Sequence, residues 1–87
     1  MVELKPVGEV VHFYKNISVA VIRLTATLEV GEVVRFERGG EEIGTQEISS
    51  MELDHTPVQS ANRGQEVGIR AEYRLRPNAK IEKFVKK

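Results

Sequence analysis

The sequence of 87 residues lacks cysteine, lacks an excess of either charge, and lacks any apolar run longer than "VAVI" at 19–22. Without cysteine, a disulfide, a thiolate zinc site and a cysteine nucleophile are all excluded. Because 13 basic residues balance 13 acidic ones, no overall positive field exists, and any contact with nucleic acid has to be local. The longest apolar run is too short to span a bilayer, and the first residues lack the basic start and apolar core of a signal peptide. We therefore expect a cytoplasmic protein with no membrane contact.

Catalytic and metal-binding motifs are also missing from the sequence. The phosphate-cradling pattern "GxxxxGK[ST]" is absent, which argues against binding of a nucleoside triphosphate. A zinc site would have to combine His12 and His55 with Glu52 or Asp54, and a half-exposed strand histidine and a turn histidine are the simpler interpretation. Glu52 and Asp54 lie two apart on one strand face and are interpreted as solvated surface rather than as an acid–base pair. No "GxSxG" elbow presents a serine, so we expect a protein that is not an enzyme and uses no cofactor and no metal.

Short apolar runs bounded by glycine, asparagine or proline recur along the chain, and no long window has helical periodicity. This pattern indicates an all-β protein with a single domain, 1–87, whose strand core covers residues 6–85. Strands are predicted at 7–14, 17–24, 33–38, 45–54, 66–72 and 80–85. Tight hairpin turns are predicted at Lys15–Asn16 and at Gly39–Gly40, where residues that tolerate a positive φ separate two strands.

Alternation along the predicted strands assigns the side chains that point inward, which are Val34, Phe36, Ile48, Val67 and Ile69. Strand 17–24 is apolar in both of its alternating sets, which predicts a central strand covered on both faces. Six short strands with one such member favour a small closed six-stranded antiparallel-type barrel, because closure removes the exposed edges of a sheet.

Charge is unevenly distributed along the chain. Residues 70–87 carry seven basic side chains against two acidic ones, whereas residues 29–47 are rich in acid. A local basic cluster is typical of phosphate contacts, and the candidates for RNA binding are Arg63, Arg70, Arg74, Arg76, Lys80 and Lys83. The alternative is that the lysines of the last strand serve only solubility and protection of a sheet edge.

The stretch "TLEVGEVVRF" at 27–36 resembles the pattern "PLxVGDxVxI" of the second, β-barrel domain of translational GTPases such as elongation factor Tu. There the glycine, here Gly31, allows a sharp turn between the end of one hairpin and the next strand. The stretch "SMELDHTPVQSANRGQEVGI" at 50–69 resembles the strand, loop and glycine signature of the same domain. The similarity extends over residues 6–85 and implies a stand-alone six-stranded barrel of the translation-protein type.

In that family the domain helps to hold the aminoacyl end of transfer RNA, and its pocket positions fall on Glu52, His55 and Glu66. His55 stands where the family has an arginine and Glu66 where it has an asparagine, so the implied pocket is more acidic. The resemblance implies a non-catalytic RNA-binding or ribosome-associated accessory module, with transfer or ribosomal RNA or a translation-related protein as partner. The same barrel also occurs appended to collagenase-like peptidases. The alternative is therefore a protein–protein docking module for a peptidase-like or GTPase protein, with no nucleic-acid role.

Overall fold

The structure, a computed structural model, describes residues 2–86. No helix occurs within that range, which confirms the predicted all-β class. The described residues form strands with the bounds β1 (Val2–Tyr14), β2 (Val19–Leu24), β3 (Leu28–Glu29), β4 (Val33–Arg38), β5 (Glu41–Glu47), β6 (Met51–Leu53), β7 (Thr56–Pro57), β8 (Ser60–Ala61), β9 (Glu66–Arg70) and β10 (Lys80–Lys86).

Most of the strands form one large antiparallel sheet. Its order is β5-β4-β10-β1-β2-β9-β6-β7, and β3 pairs with β8 in a separate two-stranded sheet. Within residues 2–86 the large sheet ends at β5 on one side and at β7 on the other, so the predicted closed six-stranded barrel is not found. One reason is that β7 is two residues long and contains Pro57, which has no backbone N–H to extend the ladder.

Strand β10 lies between β4 and β1 and thereby joins the two parts of the large sheet. Ion pairs accompany the backbone ladder on both sides of β10. Glu82 binds Arg35 of β4 at 2.9 Å, and Lys80 binds Glu9 of β1 at 3.4 Å. Arg35 also binds Glu42 of β5 at 2.9 Å. The hydrogen bond to Glu42, together with the nearby Glu82 carboxylate, raises the pKa of Arg35 above its ordinary value.

The predicted strand boundaries agree with the structure where turn residues mark the ends. Strand β4 has the predicted bounds, 33–38, whereas the single strand predicted at 45–54 is wrong, because β5 and β6 are separate strands there. The chain leaves the ladder at Ile48, whose N–H donates to the Glu32 carbonyl at 2.9 Å and whose carbonyl accepts from the Gly31 N–H at 2.8 Å. These bonds extend the pairing of β5 with β4 by one position, and the chain then changes its partner, because Met51 of β6 pairs with Ile69 of β9.

Two of the predicted turns are confirmed and one is wrong. Gly39 and Gly40 have φ angles of 62° and 86°, and Gly31 has a φ of 99°, as the sharp turns at these positions require. The two-residue turn predicted at Lys15–Asn16 instead spans residues 15–18, and Ser18 takes the left-handed conformation with a φ of 53°. The Ile17 N–H donates to the Tyr14 carbonyl at 3.2 Å, which closes this wider turn.

An apolar core formed by the described residues lies on the inner face of the sheet. The residues predicted to point inward, Val34, Phe36, Ile48, Val67 and Ile69, are all buried, which confirms the alternation argument. They pack against further buried residues from the other segments, namely Val7, Val10, Ala20, Ile22, Leu24, Leu28, Met51, Ala61, Ala71, Leu75, Ala79 and Ile81.

Gln46 of β5 is buried against this core and links two distant parts of the chain. Its Nε2 donates to the Arg70 carbonyl at 2.8 Å, and its Oε1 accepts from the Glu72 N–H at 2.7 Å. Close by, the Tyr73 hydroxyl donates to the Thr45 carbonyl at 2.8 Å. These bonds attach the end strand β5 to the segment that follows β9.

The prediction that strand 17–24 is covered on both faces is wrong for its outer face. Ala20, Ile22 and Leu24 are buried, but Val19 and Val21 are only half-buried. Ile17, which precedes the strand, is 62% exposed. β2 is central within its sheet, as predicted, but no second layer lies over this face in the described part of the chain. An apolar strip is therefore open to solvent.

Candidate functional site

A groove of about 510 Å³ opens on the outer face of β2, beside β9 and the hairpin formed by β6 and β7. Its volume lies in the range of small-ligand and side-chain binding sites. The lining combines an apolar floor with carboxylates and consists of Tyr14, Ile17, Val19, Val21, Glu52, Asp54, His55, Glu66, Val67 and Gly68. We refer to this site as the β2 groove.

The register of three strands creates the β2 groove. Val21 of β2 is paired with Gly68 of β9, and Gly68 is paired with Glu52 of β6. Paired residues of neighbouring strands point to the same face of a sheet, so these three positions form one row across the outer face. Because Gly68 has no side chain, the row has a gap between Val21 and Glu52.

The hairpin between β6 and β7 places Asp54 and His55 at the edge of the groove. Both residues have a positive φ, 51° for Asp54 and 63° for His55, and Leu53 and Thr56 form the pair that closes the turn. Two left-handed residues in succession make the hairpin turn that matches the natural twist of the strands. Asp and His are among the non-glycine residues that tolerate this conformation best. Both side chains are exposed.

The side of the groove next to the hairpin is acidic. Glu66 accepts two hydrogen bonds from the Arg23 guanidinium, at 2.8 and 3.1 Å, which balance its charge. Glu52 and Asp54 form no ion pair within residues 2–86. Arg70 is paired with Val19 in the ladder but is not among the residues that line the groove. The uncompensated charge in the lining is therefore negative.

The structure brings together the three pocket positions implied by the resemblance, since Glu52, His55 and Glu66 all line the β2 groove. The sequence does not predict the apolar half of the same site, formed by Tyr14, Ile17, Val19 and Val21, or the gap at Gly68. Two signals were present: the apolar outer alternation of strand 17–24, and a glycine inside a predicted strand, which often marks a close approach of another chain or ligand.

The six predicted phosphate-binding residues are spread over the C-terminal part of the fold. Arg63 lies in the turn before β9 and Arg70 at the end of β9; Arg74 and Arg76 lie in the connection 71–79, and Lys80 and Lys83 lie on β10. Lys80 and Lys83 are three positions apart on a strand, so alternation puts them on opposite faces. Lys80 is paired with Glu9 and Lys83 with Glu32 at 3.1 Å. Two of the candidates are therefore already bound to carboxylates of the protein.

Lys83 has a structural role that can be measured. Its side chain is 14% exposed, and Nζ donates to the Thr27 carbonyl at 2.9 Å in addition to its ion pair with Glu32. Replacing Lys83 with methionine keeps the aliphatic stem but removes these bonds, so we expect the free energy of unfolding in urea to fall by about 1–2 kcal/mol.

The matched control is Arg74→Met. Arg74 is exposed and has no ion pair among the described residues, so its replacement is expected to change the free energy of unfolding by less than about 0.5 kcal/mol. Equal losses in the two variants would contradict the assigned role of Lys83.

A smaller cavity of about 380 Å³ lies between the β1–β2 turn and residues 72–74. Its lining comprises Phe13, Lys15, Asn16, Ser18, Glu72, Tyr73 and Arg74. Both signs of charge occur here, with Glu72 beside Lys15 and Arg74, so this cavity has no preference for one sign of ligand. The β2 groove has the more defined chemistry.

Two further observations concern the classes of site considered from the sequence. Residues 2–86 contain no group of three or more histidine, aspartate or glutamate side chains that could hold a metal ion. His12 instead packs edge-on against Tyr14, with the ring centroids 4.3 Å apart. In the same range no helix is long and apolar enough to cross a membrane.

Comparison with known proteins identifies similarity to peptidase-related chains. Over 77 residues, 86% of this chain, the sequence is 32% identical to the uncharacterized protease MJ0090 of Methanocaldococcus jannaschii. The chain spans 18% of the length of that relative. No protein-family model matches the chain.

Solved structures give the fold directly. The C-terminal domain of a Geobacillus thermoleovorans protein assigned to the U32 peptidases superposes with a TM-score of 0.84 at 20% identity, covering 91% of both chains. The fold is that of this C-terminal domain. The selenomethionine variant of the same domain gives a TM-score of 0.83 at 19% identity, covering 88% of this chain and 96% of that one.

The assignment to the second domain of translational GTPases is therefore wrong, because the relatives found are peptidase-related proteins. The prediction of a translation-factor-like RNA-binding module is wrong for the same reason. The stretch that suggested it, "TLEVGEVVRF", has a structural explanation, because Gly31 is required by the local turn whatever the function of the domain. The alternative interpretation, a docking module for a peptidase-like protein, agrees better with these similarities.

Proposed function

We propose that this chain is a non-catalytic, peptidase-associated module whose function is to bind a protein. The observation that carries the proposal is the match to a segment of an archaeal protease, 32% identical over 77 residues. A chain that corresponds to 18% of a larger protein is comparable to an accessory domain of that protein. Its place of action is the cytoplasm, in line with the absence of cysteine.

The non-catalytic part of the proposal rests on the chemistry of the described residues. Hydrolysis of a peptide needs a nucleophile or metal-bound water, together with a base held within hydrogen-bond distance. The β2 groove offers carboxylates and one histidine in a solvent-exposed turn, without a serine or a metal-binding group. Such a surface is suited to binding rather than to bond cleavage.

The module acts as one rigid, barrel-like unit. The bonds of Gln46 to residues 70 and 72 and the bond of Tyr73 to Thr45 support this view, because they hold the end strand β5 against the chain that leaves β9. Side chains thus replace part of the ladder that a closed barrel has between its first and last strands.

A binding measurement with a proposed partner protein tests the proposed function. The partner for this test is the part of the archaeal relative that the chain does not match, produced as a separate protein. Mixed with this chain, it is expected to form a complex with a micromolar or lower Kd, measured by light scattering after size exclusion and by titration calorimetry. Peptidase activity on casein is expected from the partner and not from this chain. Separate elution of the two proteins at a concentration of about 100 µM, or hydrolysis by this chain alone, would overturn the proposal.

A further inference from the structure

We propose that the β2 groove binds an extended segment of a partner protein in which a lysine or arginine is flanked by an apolar side chain. This inference rests on the proposed function, since it names the surface and the chemistry by which the module recognises its partner. Three features support it: an uncovered apolar floor, two rim carboxylates that have no ion pair within residues 2–86, and a gap at Gly68.

The floor of the groove is apolar surface that the described chain leaves uncovered. Tyr14 is 50% exposed and Ile17 is 62% exposed, and Val19 and Val21 continue the same face along β2. Single exposed apolar residues are common, whereas apolar residues gathered in one patch are typical of interaction surfaces. Contact with aliphatic or aromatic side chains of a partner would remove this area from water.

The rim selects the charge of the partner. Glu52 and Asp54 have no ion pair within residues 2–86, whereas Glu66 is already bound by Arg23 at 2.8 Å. None of the residues that line the groove is a lysine or an arginine in the described part of the chain. A cationic side chain therefore finds two available carboxylates, and an anionic one is repelled. The cation gains charge-assisted hydrogen bonds at the edge of the apolar floor.

The gap at Gly68 provides the space for an inserted side chain. Val21 and Glu52 flank Gly68 in the register of the sheet, so a partner side chain can lie between an apolar and an acidic neighbour. Gly68 does not require glycine for its conformation, because its φ is not positive. A Cβ at this position would meet Val19 Cγ1 at 3.4 Å, an ordinary contact. The glycine thus leaves room in the groove without being required by the fold.

The test uses a short fluorescein-labelled peptide, blocked at both ends, in which leucine is flanked by lysines. Two control peptides replace the lysines with glutamate or the leucine with serine. Fluorescence anisotropy measures the Kd, and amide shifts in NMR spectra locate the contact. The lysine–leucine peptide is expected to shift the amides of Val19, Val21 and Gly68. Both control peptides are expected to bind at least about tenfold more weakly.

Variants of the protein separate the groove from the rest of the surface. Gly68→Val fills the gap, and Glu52→Gln combined with Asp54→Asn removes the uncompensated charge. Each change is expected to raise the Kd at least about tenfold. The matched control combines Glu41→Gln with Glu47→Gln, two exposed carboxylates of β5 outside the groove, and is expected to leave the Kd unchanged. Thermal unfolding shows that each variant is folded before it is titrated.

The outcomes distinguish this inference from the proposed function. Equal affinity for the glutamate peptide, or an unchanged Kd for the charge and Gly68 variants, would overturn the inference. If the peptidase-like partner binds the wild-type chain and Gly68→Val equally well, the inference fails while the proposed function stands. If no partner complex forms at all, the proposed function fails, and the peptide titration still shows whether the β2 groove binds the lysine–leucine peptide. A dimer of this chain in sedimentation that Gly68→Val dissociates would assign the groove to a second copy and would also overturn the inference.

Discussion

Replacement of Gln46 with leucine is expected to lower the free energy of unfolding by about 2–3 kcal/mol, a large fraction of the stability of a domain of this size. Leucine has a similar volume but cannot accept from the Glu72 N–H or donate to the Arg70 carbonyl, which Gln46 reaches at 2.7 and 2.8 Å. Two backbone groups would lose their partners beside an apolar core. Urea unfolding followed by circular dichroism measures the loss.

The control for this variant is Gln59→Leu, because Gln59 has an exposed side chain. Its free energy of unfolding is expected to change by less than about 0.5 kcal/mol. In the Gln46 variant, hydrogen exchange of the Glu72 amide should also become faster, since its acceptor is missing. Similar stability of the two variants would show that the Gln46 bonds are replaced by water at little cost.

Replacement of Gly44 with alanine is expected to lower the free energy of unfolding by about 2–3 kcal/mol through overpacking. A Cβ at Gly44 would overlap the ring of Tyr73. The ring cannot move freely, because its hydroxyl donates to the Thr45 carbonyl and its edge packs against Phe36 with the centroids 6.2 Å apart. The backbone of Gly44 itself has no positive φ, so the loss would arise from the ring contact alone.

A double-mutant cycle with Tyr73→Ala tests this explanation. Once the ring is removed, Gly44→Ala is expected to cost less than about 0.5 kcal/mol. Gly68→Ala serves as a matched glycine replacement in a strand, where the added methyl group makes only an ordinary contact with Val19. It is expected to leave stability unchanged or to raise it by up to about 1 kcal/mol. A large loss in both glycine variants would point to the strand backbone instead of Tyr73.

The sequence predicts those parts of the fold that local chemistry determines. Strand β4 was predicted at 33–38 and has these bounds, because Val34 and Phe36 alternate between two glycine turns. The break between β5 and β6 was not predictable from "TQEISSMELD", which contains no glycine or proline at 48–50. At that break the chain changes its partner strand: Ile48 still bonds to Glu32 and Gly31 beside β4, whereas Met51 pairs with Ile69 of β9. Non-local bonds of this kind leave no local pattern.

Only part of the candidate site can be predicted from the sequence. The resemblance to translational GTPases points to three residues of the β2 groove, Glu52, His55 and Glu66. These residues do line the groove, although the family assignment is wrong. The apolar floor was assigned to the interior, because an apolar strand face is usually covered by another layer. Whether Val19 and Val21 are covered depends on the position of other segments in space, which alternation along one strand does not encode.

The central place of β10 determines when the large sheet can be completed during synthesis. This strand separates β4 and β5 from β1, β2 and β9, and it follows all of them in the sequence, at residues 80–86. A nascent chain emerges from the ribosome in sequence order. Until residues 80–86 emerge, no ladder joins β4 and β5 to the group of β1, β2 and β9, and each group has an open edge where β10 will insert. Those edges are points at which premature termination or slow translation exposes the chain to aggregation.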